Sequence, residues 1–360
     1  MAVEFVHSFL QGMTRKTDGV ARKSIDPVLA DRYARNLDEF GFDYTLLGYN
    51  SDGLDPFTVA SRVLARTERL KTVVALRPNI MHPTVAAQAL ATLDQLGGGR
   101  TIVHIISGGS DAEQRRQGDY LEKSQRYARS AEYIEILRRV WTETEPFSHE
   151  GAHYRFEDFG PGSQPISGGP LPISIGGASV DAFDVGARLA DVFTLWGEPL
   201  AETRTQIERV RTLAAAAGRD PAPIRFWVTF RPIVAETEEL AWAKAERIVD
   251  AAAGRLWGTN RGATPTNVGS VRLREIAARS ERHDTALWTP PSIAGSGGAS
   301  SLLVGTPDTV AEAILAYVRL GADLISLPSV GNLDEAIDTG RYVIPRVREL
   351  LARGPAAVGA

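Results

Sequence analysis

Hydrophobic and polar positions change their period repeatedly along this chain. Short apolar runs alternate with longer stretches whose apolar residues recur every three or four positions. Strands are read over Val3–Phe9, Tyr44–Gly48, Leu70–Leu76, Thr101–Ile106, Leu171–Ile175, Asp191–Leu195, Ile224–Val234 and Ala322–Leu327. Helices are read over Asp26–Phe40, Asp55–Arg66, Pro83–Leu96, Lys123–Trp141, Ser179–Leu189, Leu200–Ala217, Thr237–Ala252, Thr309–Leu320 and Leu333–Leu351. Leu29, Tyr33 and Leu37 share one helical face, and Pro56 follows the capping residue Asp55. Val73–Leu76 is apolar at consecutive positions, as in a strand buried on both faces of a parallel sheet.

Repeated strand–helix units need right-handed crossovers. Eight strands at this chain length predict an α/β fold of the (β/α)8 TIM-barrel type. An open dinucleotide-binding sheet would place G-x-G-x-x-G after the first strand, where Gln11-Gly12-Met13-Thr14-Arg15 stands instead. The expected organisation is one domain over residues 1–360, with an insertion at 254–301 before the last strand–helix unit. That insertion is long for an idle loop and carries Arg255, Arg261, Arg272, Arg274, Arg279, Arg282, Trp257 and Trp288. It reads as a lid whose cations meet an anionic ligand, or, over Val271–His283, as a solvated helix.

Composition narrows the chemistry. The net charge is −4, so nothing points to nucleic acid. The chain has no cysteine, which excludes disulfides and thiolate chemistry. MAVEFVHSFLQG is not a signal peptide, and no apolar run reaches membrane-spanning length, so a cytoplasmic protein without membrane contact is expected. No His, Asp or Glu set has metal-ligand spacing, and no G-x-S-x-G elbow occurs.

A barrel carries its chemistry where the strands end. Those ends hold His7 and Ser8; Tyr49 and Asn50; Arg77 and Asn79; His104 and Ser107; Gly176, Gly177 and Ser179; Trp196 and Glu198; Thr229 and Arg231; and Ser329. The paired glycines before Ser179 let a ligand approach the backbone at a helix start, where anions are favoured. The plain alternative is a helix cap at Ser179. Arg126 is read as a phosphate partner or as the mate of a surface carboxylate such as Glu122. His104, alone in an apolar strand, reads most simply as a hydrogen-bonded core residue. Arg77 either stops its strand or orders the loops at the mouth.

These pieces together resemble one family. They are Val-Ala-Leu-Arg-Pro at 74–78, Pro-Thr-Val-Ala-Ala at 83–87, Ser-Gly-Gly-Ser-Asp at 107–111, Arg-Tyr at 126–127, Ser-Ala-Glu at 130–132, Gly-Gly-Ala-Ser at 176–179 and Thr-Leu-Trp-Gly-Glu-Pro at 194–199. The chain resembles the bacterial luciferase-like flavin-dependent monooxygenases, most closely the two-component alkanesulfonate monooxygenase branch. The resemblance implies FMN, delivered reduced as FMNH2 by a separate flavin reductase, together with oxygen, a small-molecule substrate, and a homodimer or homotetramer. It places cofactor contacts at Tyr49, Asn50, Ala75, His104, Glu113, Arg126, Tyr127, Gly177 and Ser179, with a cis peptide near Ala75–Leu76. The residues set out for the reaction are His7, Trp196 and Arg231. Sulfonate-oxidising members carry a polar cluster whose matching positions here are Thr229, Arg231, Ser296, Val330 and Gly53, so much of that cluster is changed. The implied reaction oxidises a small organosulfur compound: an alkanesulfonate to aldehyde and sulfite, or a sulfone. A non-sulfur substrate such as a heterocycle, a deazaflavin-dependent oxidoreductase, and a flavin-sequestering protein stand as alternatives.

Overall fold

The computed structural model describes residues 3–9, 24–160, 162–254, 267–294, 300–330 and 334–353. Eight parallel strands close into a barrel. They are β1 (Glu4–Ser8), β2 (Tyr44–Leu47), β3 (Lys71–Leu76), β4 (Thr101–Ile105), β5 (Ile173–Gly176), β6 (Val192–Trp196), β7 (Arg225–Thr229) and β8 (Ala322–Ser326). β8 pairs back onto β1, with Glu4 opposite Leu324, which closes the ring. Helices cover the outside, and their starts are set by local chemistry. Asp26 accepts from the Val28 and Leu29 N–H groups ahead of a helix that opens with Pro27. Asp55 does the same for Thr58.

Side chains alternate along each strand, so every second residue points into the barrel. Val6, Tyr44, Val73, Ile102, Val192, Trp227 and Leu324 form the interior apolar cluster. One step nearer the strand ends, the inward positions become small or polar. Ala75, His104 and Ser174 lie side by side in register, and Thr194 lies opposite Trp227. The other end of the barrel is sealed by charge. Glu4 accepts from Arg225 at 2.5 Å and from Lys71 at 3.2 Å, and Tyr44 donates to it at 3.2 Å.

Two expectations are corrected here. Every peptide bond in the described residues is trans, so the cis peptide expected near Ala75–Leu76 is absent. The strand read over Ile224–Val234 is two strands. Phe230 still donates to Ser326 of β8, but Arg231 donates to Ser301 instead. The chain thereby leaves the barrel and continues as Arg231–Val234 in a second, four-stranded sheet with Leu302–Gly305, Leu287–Trp288 and Arg282–His283. Phe230, fully buried against Tyr317 with ring centroids 4.5 Å apart, fixes the exit. The described part of the insertion is therefore ordered, with a helix at Val268–Arg279 and a small core that includes Ile233, Val249, Trp288 and Val304. A hairpin of Phe147–Glu150 and Arg155–Phe159 also lies outside the barrel. Among the described residues no helix is long and apolar enough to cross a membrane.

Candidate active site at the barrel mouth

The residues expected at the site fall into four groups around the strand ends. The first lines the interior. Ala75 is nearly fully buried, and its methyl leaves a low floor beside His104. His104 bonds through Nδ1 to Ser174 Oγ at 2.9 Å, and Ser174 Oγ bonds to Thr194 Oγ1 at 2.9 Å. Its ring tilts against Trp227, with centroids 5.9 Å apart. Burial pushes the His104 pKa down to about 4, so the ring is neutral at physiological pH. The residue nevertheless remains partly exposed, since it faces the open end of the barrel. Trp196 also lies on this inner face, and the insertion helix packs directly on it. A Cβ added to Gly269 would come within 2.5 Å of the Trp196 ring.

The second group ties three loops together. Arg77 is 3% exposed and pairs with Glu113 at 2.7 Å. Glu113 also accepts from the Ser51 N–H at 2.9 Å. The Arg77 guanidinium lies 5.0 Å from the centre of the Tyr49 ring, and Gln117 donates to the Tyr49 hydroxyl. Tyr49 and Glu113 are thus brought together. Asn50 stays exposed in a tight turn, where its carbonyl accepts from the Gly53 N–H.

The third group surrounds the start of the helix Val180–Leu189. Ser179 caps it by accepting from the Ala182 N–H at 3.3 Å. Gly177 is exposed, with a φ of 146°. A Cβ there would fall 2.7 Å from both the Tyr127 hydroxyl and the Ala182 Cβ. Only glycine fits, and the backbone there stays bare. Burial raises the Tyr127 pKa, an effect that the neighbouring Ser179 opposes. Arg126 is buried and spends its guanidinium on the Ser107 carbonyl, the Leu121 carbonyl and Asp111. It holds the loop after β4 in place, and the Glu122 pairing is not formed.

The fourth group sits between β1, β7 and β8. His7 is 1% exposed. Its Nε2 accepts from the Ser329 N–H at 3.1 Å, which assigns the proton to Nδ1, and Nδ1 lies 2.8 Å from the Ser8 carbonyl and 2.9 Å from the Tyr33 hydroxyl. Burial first, and then nearby Arg231, hold its pKa down at about 3. Arg231 donates to the Ser329 carbonyl at 3.1 Å. Burial lowers its pKa to about 10, which leaves it cationic at neutral pH.

The insertion's arginines among the described residues are engaged with protein. Arg272 makes a two-pronged pair with the buried Glu198, which also accepts from Gln206 at 2.9 Å. Arg279 pairs with Glu202, Arg274 reaches the Ala294 carbonyl, and Arg282 stacks 3.7 Å over Trp242. Arg255, Arg261, Trp257 and Ser296 lie outside the described residues.

Sequence reasoning missed Ser174, Thr194 and Gln117. The first two stand as lone polar residues at alternate positions of apolar strands, and that was the available signal.

FMN needs a flat polar seat and an anion site. The bare Gly177 backbone at a helix start, the low Ala75 floor and the buried amide of Asn79, whose nitrogen and oxygen both lack protein partners, fit those needs.

Comparison with known proteins agrees with the barrel fold. The chain is similar in fold to a riboflavin lyase solved with modified FMN and riboflavin, at 20% identity and a TM-score of 0.75, covering 100% of this chain and 93% of that one. It is similar to the EDTA monooxygenase of Chelativorans sp. BNC1, at 18% identity and a TM-score of 0.77, covering 98% and 94%. It is also similar to a coenzyme F420 dependent tetrahydromethanopterin reductase from Methanopyrus kandleri, at 16% identity and a TM-score of 0.72, covering 96% and 100%. The family model for luciferase-like monooxygenases matches residues 4–324, so the chain belongs to that family and is, in class, a flavin-dependent monooxygenase.

Proposed function

We propose that this protein is the oxygenating component of a two-component system. It would take reduced FMN from a separate reductase and oxidise a small organosulfur substrate, in the manner of the alkanesulfonate branch. The observation that carries the reading is the union of an open helix start at Gly177–Ser179 with an inward neutral histidine, His104, over the Ala75 floor.

Reduced FMN, when bound, supplies the electrons that activate oxygen. The chain's own residues do the rest. Gly177, Ser179 and Tyr127 would hold the phosphate end, with Arg126 fixing the loop beside them. Arg77 and Glu113 would hold Tyr49 and the Asn50 turn against the ring edge. Trp196, roofed by the insertion helix at Gly269, would exclude water from one wall. Arg231 would offer its charge to an anionic substrate such as a sulfonate. His7, neutral and bonded on both nitrogens, would keep Ser329 and Arg231 in place. The chain is expected to act in the cytoplasm as a homodimer or homotetramer, beneath the insertion acting as a lid.

The test has two stages. Anaerobic titration with reduced FMN should give micromolar binding, and turnover with oxygen, NADH, a reductase and a sulfonate panel should release sulfite. No binding of reduced FMN would sink the reading. Binding without sulfite would move the substrate to sulfones or heterocycles. The fold likeness to an F420-dependent reductase favours one rival, and tighter binding of reduced F420 than of reduced FMN in the same titration would select it.

A further inference from the structure

His104 and His7 are both neutral, but only one has a ring nitrogen to spare. His104 Nδ1 faces Ser174, while Nε2 has no hydrogen-bond partner among the described residues. Nor is Nε2 one of the sealed, unpartnered buried atoms, so it is open to the mouth. Behind the ring runs a chain of two hydroxyls, each step 2.9 Å long, from Ser174 to Thr194. Thr194 is itself partly exposed at the mouth. Both links join groups that donate and accept equally well.

We propose that His104, Ser174 and Thr194 form a two-way proton relay, through which His104 presents either a donor or an acceptor at Nε2 to the occupant of the barrel mouth. In one setting Nδ1–H donates to Ser174, Ser174 donates to Thr194, and Nε2 accepts. In the other, Thr194 donates to Ser174, Ser174 donates to Nδ1, and Nε2–H donates. To give up a proton, Nε2 loses its hydrogen to the occupant, Nδ1 takes the Ser174 hydrogen, Ser174 takes the Thr194 hydrogen, and Thr194 takes one from a hydrated proton or buffer acid at the mouth, so the net step moves one proton from solvent to the occupant. Return of a proton runs the same steps backwards. No imidazolium forms, in keeping with a ring that burial holds neutral to about pH 4. The relay serves a reaction that needs protons moved to and from a water-poor site. For its part in turnover it rests on the flavin reading above.

The test reads the ring directly. Nitrogen NMR on the full chain, with histidines labelled and His104 assigned through His104→Gln, should show a neutral ring with averaged Nδ1 and Nε2 shifts at pH 7. Thr194→Val takes one bond from each setting, but only in the first does the Ser174 hydrogen lose its acceptor, so the setting in which Ser174 donates to Nδ1 is favoured. The Nδ1 and Nε2 shifts should therefore move apart in the direction of the Nε2–H form. Thr194→Ser should restore the wild-type average. A single fixed tautomer, unchanged in Thr194→Val, would overturn the relay. In the second arm, the solvent deuterium isotope effect on oxygen-dependent oxidation of bound reduced FMN should shrink in Thr194→Val and return in Thr194→Ser, with FMN affinity held. An isotope effect equal in all three proteins would remove the relay from turnover. Failure to bind FMN would strike the flavin reading alone, since the NMR result still decides the relay.

Discussion

At one end of the barrel, Glu4 gathers Arg225, Lys71 and Tyr44 into a closed set of charges. At the other end, His104, Ser174 and Thr194 form a neutral chain with an open nitrogen, and Trp227 Nε1, Ser326 Oγ and the Asn79 amide are buried without protein partners. Both sets are polar, but only the Glu4 cluster is satisfied from within the protein. Buried polar atoms left unpaired cost stability, so they persist where something else is meant to meet them. The same contrast separates the two histidines: His7 is fully bonded, and His104 is not.

Four substitutions test that division, from the largest expected effect to the smallest. Arg77→Ala leaves Glu113 without its mate at the rim and frees the Tyr49 loop. Chemical denaturation should show a loss of about 3 kcal/mol, the low end for breaking a buried pair. Reduced-FMN affinity should fall at least about tenfold, about 1.4 kcal/mol. Glu198→Ala removes the anchor of the insertion helix. Arg272 is partly exposed and can turn to water, so the expected loss is smaller, about 2 kcal/mol. Proteolysis should then cut the insertion before the barrel.

Gly177→Ala forces an alanine into a glycine conformation against Tyr127, at a cost of about 1–2 kcal/mol. FMN affinity should drop more than stability does. Glu4→Gln should cost least, about 1 kcal/mol, because its partners are half-exposed. Its signature is pH. Charge pairing holds the Glu4 carboxyl below its ordinary 4.5, against the pull of burial. Its stabilisation is therefore complete above about pH 4.5 and lost as pH falls through the lower folded value. Wild type should lose stability over that acid window faster than Glu4→Gln, while FMN binding at pH 7 stays equal in both proteins.

The fold was legible because its signal repeats. Every barrel strand announced itself by an apolar run, and Asp26, Asp55 and Ser179 marked their helix starts. The second sheet was not legible. Leu302–Gly305 is only four residues long and follows a glycine- and serine-rich stretch, and nothing local shows that Arg231 changes partners. At the site, residue types at strand ends were readable, but their pairings were not. Arg126 looks the same in sequence whether it faces a phosphate or the Ser107 carbonyl. Ser174 and Thr194 gain meaning only once β4, β5 and β6 lie side by side, since 70 and 20 residues separate the bonded partners.

The exit of the chain at Phe230 has a consequence for how such a protein changes over time. β7 supplies the barrel wall up to Thr229 and the second sheet from Arg231 onward, so one continuous segment serves both the folding core and the outer rim. Substitutions in the insertion act on Arg231 and on the Gly269–Trp196 contact, which lie outside the pairings that set the register of the eight strands. The outer rim can therefore be altered by substitution while the strand pairing of the barrel keeps its own contacts.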